Sequence, residues 1–262
     1  MDRRRKDCGH LTSTCGDPRI SVIVPTWQAG QQLPQLLFRL QNQSTPPTET
    51  IVVDSSSTDG TRDLAAERGC RVEVIPKADF SHGGTRNPCA ELAQGHVLVF
   101  MTQDALPVDR SFLGELVRPI PQGCEAAACA RQVPRSDAPP PEAFARSFNY
   151  PPESHIRAIS DVPRMGFKAF FFSNVASAVS REALCAVGGF PERVIMDEDV
   201  LLCARLLCAG YRAAPQAEAA VYHSHHYTLS QQFKRYFDIG TFVSQAGEAL
   251  EGAKTGEEGV SL

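Results

Sequence analysis

Residues 20–26 have the sequence Ile-Ser-Val-Ile-Val-Pro-Thr, and residues 50–54 have the sequence Thr-Ile-Val-Val-Asp. Each is a short apolar run, rich in β-branched residues, that stops at a proline or an aspartate; this is typical of a strand buried on both faces. Between them, leucines recur with helical spacing over Leu33–Leu40. Strands buried on both faces need helices on each side, so the pattern predicts an α/β fold with a mainly parallel central sheet.

The same alternation of apolar runs and helical segments continues along the chain. Further strands are predicted at Val72–Ile75, His96–Thr102, Glu125–Arg131 and Ala219–Tyr222, with a strand-like segment at Phe170–Val179. Helices are predicted at Pro88–Ala93, Arg181–Val187, Asp197–Ala209 and Ser230–Phe242. These elements predict a single domain over residues 19–245, with a flexible N-terminal tail at 1–18 and a flexible C-terminal tail at 246–262.

The composition limits what this domain can be. Of 262 residues, 26 are basic and 30 acidic, the formal charge is −4, and 42% are apolar. Disordered chains are poorer in apolar residues and nucleic-acid-binding domains are normally basic, so neither class is expected. No apolar run approaches the roughly 20 residues of a membrane span, and no secretory signal is visible. The nine cysteines include no C-x-x-C pair, which favours free thiols in a globular cytoplasmic protein.

Polar segments follow several of the predicted strands. Ligands of a parallel sheet bind outside the carboxyl ends of its strands, so one edge is expected to carry Pro25–Gln28, Asp54–Thr61, His82–Asn87 and Thr102–Pro107. Asp104 suits a hard cation that binds phosphate oxygens, although aspartate is equally common in turns. Gly83–Asn87 is expected to form a flexible loop whose Arg86 either offers a planar fork to phosphate or is simply solvated.

Two further clusters bring ionisable side chains together. Residues 197–199, Asp-Glu-Asp, open a predicted helix soon after the loop Gly188–Pro191. The helix dipole favours carboxylates in a first turn and accounts for one or two of them, whereas a carboxylate at such a junction also suits a general base. His223 and His225 follow a predicted strand and share one face of an extended chain, so they are candidate ligands for a metal or a phosphate.

Together these segments resemble the inverting family 2 glycosyltransferases, which have the GT-A fold. Three pieces carry the resemblance in order, namely Ser21–Trp27, Ile51–Thr61, and Gly188–Pro191 leading to Glu198 and Asp199. Four more are similar to bacterial enzymes described as rhamnosyltransferases: Gly83–Asn87, Phe100–Ala105, Phe171–Asn174 and Tyr222–Gly240. The resemblance covers residues 19–243 and implies a Rossmann-like sheet within a single GT-A domain.

The resemblance implies transfer of a sugar, with rhamnose as the candidate, from a nucleoside-diphosphate donor such as dTDP-rhamnose to a hydroxyl of a saccharide or lipid-linked saccharide. Asp199 matches the catalytic base, with Glu198 as its neighbour. Other residues match positions that contact the nucleotide-sugar: Pro25, Thr26, Trp27, Asp54, Ser56, Arg86, Gln103 and Asp104.

The resemblance also implies a divalent metal cofactor, Mg²⁺ or Mn²⁺. Gln103 and Asp104 occupy the place of the family's D-x-D metal motif, so one carboxylate is present where two or three are usual. His223 or His225 is the candidate for the missing ligand, which makes Asp104, His223 and His225 the predicted metal-binding residues.

Two segments bear on the acceptor and on the membrane. Pro134–Pro152 contains six prolines, which predicts an irregular excursion, and residues 134–165 are a candidate acceptor lid. The last predicted helix places Lys234 and Arg235 among the aromatic residues Phe233, Tyr236, Phe237 and Phe242. This pattern suits peripheral contact with the inner face of the cell membrane, but a stripe packed on the core is commoner and is the arrangement expected here.

Two other functions fit the same scaffold. A sugar-phosphate nucleotidyltransferase is one, although it would place a Gly-rich basic loop directly after the first strand, where this chain has Pro25–Gly30. A non-catalytic nucleotide-sugar-binding module is the other, and the thinned metal motif supports it. No G-x-G-x-x-G follows the first strand and no G-x-x-x-x-G-K-[ST] occurs, which disfavours dinucleotide oxidoreductases and P-loop NTPases.

Overall fold

The computed structural model of the protein describes residues 18–122, 125–192 and 197–254. The described strands are β1 (Ile20–Thr26), β2 (Glu49–Asp54), β3 (Arg71–Val74), β4 (Val97–Met101), β5 (Leu106–Pro107), β6 (Glu125–Val133), β7 (Ala176–Ser180) and β8 (Arg212–Tyr222). They form one eight-stranded sheet in the order β3-β2-β1-β4-β7-β6-β8-β5. Strands β3, β2, β1 and β4 are parallel to one another, whereas β7 runs antiparallel to both β4 and β6. The sheet is therefore mixed, and the predicted α/β class is confirmed.

Helices cover both faces of this sheet. They are α1 (Leu33–Gln41), α2 (Thr61–Glu67), α3 (His82–Leu92), α4 (Phe112–Val117), α5 (Pro119–Gln122), α6 (Pro140–Asn149), α7 (Val162–Met165), α8 (Arg181–Ala186), α9 (Glu198–Cys208) and α10 (Leu229–Lys254). Side chains of α1, α2 and α4 pack in one buried cluster, and those of α3, α8 and α9 pack in another. Successive residues of β1 alternate between them, because side chains of a strand point to opposite faces: Val22 and Val24 join the first and Ile23 the second.

The segment Gly83–Asn87 is helical, so the expectation of a flexible loop is wrong. It lies inside α3, where the Oγ of Ser81 caps the helix by accepting a hydrogen bond from the N–H of Gly84 at 3.0 Å. Gly83 permits a close approach to the loop before α9, since a Cβ there would lie 2.0 Å from the carbonyl oxygen of Pro191. The glycines therefore serve helix packing here rather than mobility.

The proline-rich span is more regular than predicted. It contains the ten-residue helix α6, in which Pro140 and Pro141 occupy the first turn, where a missing N–H costs no intrahelical hydrogen bond. The strand-like segment Phe170–Val179 is also shorter than predicted, because β7 begins only at Ala176 and a 3₁₀ helix occupies Gly166–Phe170.

The C-terminal helix departs from expectation in two ways. α10 continues to Lys254, so the predicted tail is helical over 246–254. Phe233, Tyr236 and Phe237 are each more than half exposed, so the expected packing of this stripe on the core is wrong. The side chain of Phe242 lies outside the described residues, as do the predicted N-terminal tail up to residue 17 and the last eight residues. No helix within the described ranges is long and apolar enough to cross a membrane.

The described cysteines are all free thiols, as predicted: Cys70, Cys89, Cys129, Cys185, Cys203 and Cys208. Cys8, Cys15 and Cys124 fall outside the described residues. Burial raises the pKa of the Cys70 and Cys89 thiols to about 11, which keeps both in the unreactive neutral form.

Candidate active site

Asp104, His223 and His225 meet at the carboxyl edge of the sheet. Asp104 follows β4, and both histidines follow β8. The pairing of Leu106 with Tyr222 across β5 and β8 brings the two segments side by side. A carboxylate oxygen and one ring nitrogen from each histidine all lie within 4.8 Å of one another. The structure therefore brings together the three metal-binding residues predicted from the sequence.

The geometry of this cluster suits a divalent cation. Asp104 Oδ2 and His223 Nε2 lie 3.4 Å apart. His223 Nδ1 lies 2.8 Å from Oε1 of Gln132; because that oxygen only accepts, Nδ1 carries a hydrogen and Nε2 is the ring nitrogen that faces the carboxylate. Two adjacent ligand atoms about 2.1 Å from an octahedral ion are about 3.0 Å apart, so a small approach of these two side chains would place both on one Mg²⁺ or Mn²⁺ ion.

The charge states of the cluster are also those of metal ligands. Burial opposes ionisation of Asp104, but the hydrogen bond and charge of the His223 ring outweigh it, so the pKa of Asp104 is lowered. Burial, assisted by the charge of His223, lowers the pKa of His225 to about 4. At neutral pH the cluster therefore offers an ionised carboxylate and a neutral His225, which are the forms that coordinate metals.

Glu198 and Asp199 lie in different environments in the first turn of α9. Glu198 is buried, and its Oε1 accepts hydrogen bonds from Arg86 Nη1 at 2.6 Å and Asn174 Nδ2 at 3.2 Å. Asp199 is partly exposed and accepts hydrogen bonds from the backbone N–H groups of Asn174 and Val200, each at 2.9 Å. Burial, followed by the charge of Glu198, raises the pKa of Asp199 to about 7. A carboxyl with that pKa is matched to proton abstraction at neutral pH.

Residues 173–175 join the metal-ligand cluster to these carboxylates. The hydroxyl of Ser173 accepts a hydrogen bond from Nε2 of Gln132 at 2.9 Å, and Gln132 also contacts His223. The second, Asn174, binds both carboxylates of α9. The carbonyl oxygen of Val175 accepts a hydrogen bond from the N–H of Thr102 at 3.1 Å, and Thr102 lies two residues before Asp104. The candidate base and the candidate metal ligands are therefore linked through one hydrogen-bonded segment.

The predicted nucleotide-binding segment lies at the end of β1, next to the end of β4. Pro25 and Thr26 close the strand, and the side chain of Trp27 beyond them is 47% exposed. Gln103 holds the Trp27 backbone, accepting from its N–H at 2.8 Å and donating to its carbonyl at 3.2 Å. Lys77 Nζ lies 3.5 Å from the centroid of the indole ring. An exposed aromatic face with a cation above it is thus available to a planar, anionic ligand.

Asp54 is fully buried, which corrects the expectation that it contacts the nucleotide. Its carboxylate accepts hydrogen bonds from the hydroxyl of Thr26 at 3.3 Å and the N–H of Ser57 at 2.8 Å. Ser56, the neighbouring residue, is exposed with φ +58°, and its hydroxyl donates to the carbonyl of Ile75 at 2.8 Å. Asp54 therefore stabilises the turn after β2, and Ser56 is an exposed residue of that turn.

Arg86 is also an internal residue. Only 3% of it is exposed, because its guanidinium is committed to the buried carboxylate of Glu198. The expectation that Arg86 reaches the diphosphate from a loop therefore requires correction. Its position on α3 ties that helix to the start of α9, and so to the candidate base.

A small cleft opens beside β6 and β8, with a volume of about 20 Å³ accessible to water-sized molecules. Its lining includes Arg131, Tyr150, Arg157 and Phe171. The rings of Tyr150 and Phe171 pack with centroids 5.4 Å apart, and the Tyr150 hydroxyl accepts a hydrogen bond from Gln132 at 2.6 Å. Since Gln132 also contacts the 173–175 segment, the cleft adjoins the site that holds the candidate base.

Known proteins match this chain over most of its length. The model of glycosyl transferase family 2 matches residues 21–187, more than half of the chain. The chain belongs to glycosyl transferase family 2. This glycosyltransferase is 41% identical over 227 residues to the O-antigen chain rhamnosyltransferase WbaN of Salmonella anatum, covering 86% of this chain and 72% of WbaN. It is 39% identical over 226 residues to the O-antigen chain rhamnosyltransferase RfbN of Salmonella typhimurium, with the same coverage.

Solved structures of glycosyltransferases share the fold. The mannosyltransferase PcManGT from Pyrobaculum calidifontis, in complex with GDP-Man and Mn²⁺, has a TM-score of 0.57 at 23% identity. S. aureus TarS 1–349, in complex with UDP-GlcNAc, has a TM-score of 0.61 at 20% identity. Each similarity covers 80% of this chain, but only 58% and 59% of the two solved chains. At these identities the likeness establishes the GT-A fold, as predicted, and family membership decides against the nucleotidyltransferase alternative.

Several residues of this glycosyltransferase site had no signal in the sequence. Gln132 lies in β6, Arg146 lies in a proline-rich span, and Lys77 follows a short strand. None belongs to a cluster of ionisable residues or follows a glycine-rich segment. Only Asn174 stood inside a segment already singled out, Phe171–Asn174, and its role depends on contacts with residues 24 and 25 positions away.

Proposed function

We propose that this family 2 glycosyltransferase moves a rhamnosyl group from a nucleoside-diphosphate donor to a hydroxyl of a saccharide, with inversion at the anomeric carbon. The observation that carries the proposal is the partly exposed Asp199 carboxyl, whose pKa is about 7, in one site with the Asp104–His223–His225 cluster. The similarity to two O-antigen rhamnosyltransferases supports rhamnose as the sugar. We take dTDP-rhamnose as the candidate donor.

In this proposal Asp199 removes the proton from the acceptor hydroxyl as that oxygen attacks the sugar. A base positioned for this step contributes typically 10²–10⁴-fold to the rate. Asn174 orients the base by donating its backbone N–H to Oδ2. Glu198 pairs with Arg86, and its negative charge raises the basicity of Asp199.

Asp104, His223 and His225 hold a Mg²⁺ or Mn²⁺ ion in this proposal. The chemistry of such an ion is to stabilise the negative charge that develops on the departing diphosphate. The solved mannosyltransferase PcManGT, which shares the fold, was captured with GDP-Man and Mn²⁺. Removal of the carboxylate by Asp104→Ala should abolish Mn²⁺-dependent donor binding in calorimetry, and unchanged binding would remove Asp104 from the site.

The nucleotide lies against Trp27 in this proposal. Trp27 offers its ring face, Ser56 lies on the exposed turn beside it, and Lys77 carries the positive charge nearest the ring. Arg86 and Asp54 act indirectly, since both are buried and engaged with protein partners. A thermal-shift panel of dTDP-, UDP- and GDP-sugars with Mn²⁺ identifies the donor, because a ligand that binds only the native state raises its stability.

The acceptor lies in the cleft lined by Tyr150, Phe171, Arg131 and Arg157. The cleft adjoins the base, and part of its wall comes from the 134–165 segment predicted as a lid. Aromatic rings beside polar groups suit the apolar faces and hydroxyls of a saccharide. Tyr150→Ala should raise the KM for acceptor without changing the KM for donor; equal effects on both constants would place the acceptor elsewhere.

A lipid surface is the proposed partner of the exposed stripe on α10. Phe233 and Phe237 are exposed beside the exposed cations Lys234 and Arg235, a pattern that binds anionic bilayers. Vesicles containing phosphatidylglycerol should float the protein and vesicles of neutral phosphatidylcholine should float less of it. Phe233→Ser/Phe237→Ser should abolish flotation, and flotation that survives this change would refute the assignment.

The decisive test of the function is transfer by Asp199→Asn. Its rate should fall by at least about two orders of magnitude while the fold is kept. The matched control is Asp197→Asn, two positions earlier, where φ is +61° and asparagine is well tolerated. Product analysis by NMR should show the inverted anomer and free nucleoside diphosphate; release of pyrophosphate, or near-wild-type turnover in Asp199→Asn, would refute the proposal.

A further inference from the structure

Gln132 lies directly behind the metal-ligand cluster and is 2% exposed. Its amide nitrogen donates to the Tyr150 hydroxyl at 2.6 Å and the Ser173 hydroxyl at 2.9 Å. Its amide oxygen accepts from a guanidinium N–H of Arg146, and His223 Nδ1 lies 2.8 Å from the same oxygen. The buried amide therefore has two partners at each end.

These partners fix which way the amide points. A guanidinium has donors only, so the atom facing Arg146 must be the oxygen. The reversed amide would place its NH₂ group against a guanidinium N–H in a buried space and would leave that N–H without an acceptor, which costs about 1–3 kcal/mol. With the oxygen in place, Nδ1 of His223 carries a hydrogen, and Nε2 is the nitrogen that faces Asp104.

The guanidinium is itself held in place by a carboxylate of its own helix. Glu142 Oε1 accepts from Arg146 Nε at 2.9 Å and from Nη2 at 2.6 Å. The same oxygen accepts from the backbone N–H of His225 at 3.2 Å. Both residues lie on α6, in the segment predicted as an acceptor lid, so one helix contacts His225 directly and is linked to His223 through Gln132.

We propose that Gln132 and Arg146 are positioning residues of the metal site. Gln132 selects the His223 tautomer that directs the Nε2 lone pair at the ion, and Arg146 fixes the orientation of the Gln132 amide. The proposal rests on the proposed metal site at Asp104, His223 and His225. It assigns to β6 and α6 a task in metal binding, although neither supplies a ligand.

Calorimetric titration with Mn²⁺ alone tests the proposal without turnover. Gln132→Leu removes the acceptor and should raise the Kd for Mn²⁺ by about 10–100-fold, the usual cost of losing a group that orients a ligand. Gln132→Glu keeps an acceptor for both donors and should restore affinity to within about threefold of wild type. The control Ser173→Ala removes a partner from the other end of the amide and should leave the Kd unchanged.

Nitrogen NMR of the His223 ring supplies a second readout that does not depend on metal. The neutral form of the metal-free ring should be the Nδ1–H tautomer. An Nε2–H tautomer in the wild type would overturn the proposal even if Gln132→Leu failed to fold. An unchanged Kd for Mn²⁺ in Gln132→Leu would overturn it as well. Wild-type protein that binds no Mn²⁺ but shows the Nδ1–H tautomer would instead refute the metal site of the proposed function, and with it this role.

Discussion

Replacing Asp199 with asparagine should stabilise the protein at alkaline pH although it removes the base. Burial, followed by the charge of Glu198, raises the pKa of Asp199 from an ordinary value of 3.8 to about 7. Each unit corresponds to 1.36 kcal/mol, so the ionised carboxylate costs the folded state about 4 kcal/mol once it is fully charged. The environment that makes Asp199 more basic therefore also lowers the free energy of unfolding of the protein.

The sign of this effect depends on pH. Below pH 3.8 the Asp199 carboxyl is protonated in both folded and unfolded states, so it costs nothing. The cost grows as the unfolded carboxyl ionises and is complete above pH 7, reaching about 2 kcal/mol at pH 5 and about 4 kcal/mol at pH 9. Asparagine stays neutral at every pH. Its NH₂ group would face one of the two backbone N–H groups that donate to the Asp199 carboxylate, and loss of that hydrogen bond costs about 1–3 kcal/mol at either pH.

The difference between the two pH values isolates the electrostatic part. Urea unfolding should show that the stability of Asp199→Asn relative to wild type is about 2–3 kcal/mol greater at pH 9 than at pH 5. The control Asp63→Asn replaces an exposed carboxylate in the first turn of α2 and should show no such gain. If the stability difference between Asp199→Asn and wild type were the same at both pH values, the raised pKa of Asp199 would be wrong.

Other expectations follow from the same contacts. The kcat/KM of the wild type should rise with pH through about 7 as Asp199 ionises, and a flat pH profile would contradict its role. Arg86→Met should lower the free energy of unfolding by about 3–5 kcal/mol, because it leaves the Glu198 carboxylate buried and unpaired, and Arg86→Met/Glu198→Leu should recover most of that loss in urea titrations. Gly83→Ala should lower the Tm in a thermal scan by several degrees, since its Cβ would lie 2.0 Å from the carbonyl oxygen of Pro191. An unchanged Tm would show that the backbone at Pro191 can move away at little energetic cost.

Much of the fold could be predicted because the relevant signals are local. The β-branched runs at Ile20–Val24 and Thr50–Val53 form neighbouring parallel strands. Such runs could be recognised as strands because an apolar stretch buried on both faces has a distinctive local sequence. The metal-ligand cluster was also accessible, because the ends of strands define a ligand edge before any side chain is placed.

Errors arose where tertiary contacts override local patterns. Gly83–Asn87 has the composition of a loop, yet Ser81 caps it and Pro191 packs against it, so it is helical. Arg86 resembles a ligand-binding cation in the sequence, but it pairs with Glu198, which lies 112 residues later in the chain. The stripe on α10 is the opposite case: its aromatic residues fit a buried face, but among the residues that the structure describes Phe233, Tyr236 and Phe237 are exposed.

The sequence alone determined that this chain forms a parallel α/β core with acidic and imidazole side chains at the ligand edge. It did so because strand periodicity and strand ends are properties of adjacent residues. Only the tertiary structure decided which carboxyl has a raised pKa, which arginine is buried against a carboxylate, and which nitrogen of His223 faces Asp104. Those outcomes depend on burial and on hydrogen bonds such as that between Gln132 and His223, whose residues lie 91 positions apart. Burial sets the free energy of a charge, and the chain must fold before burial exists.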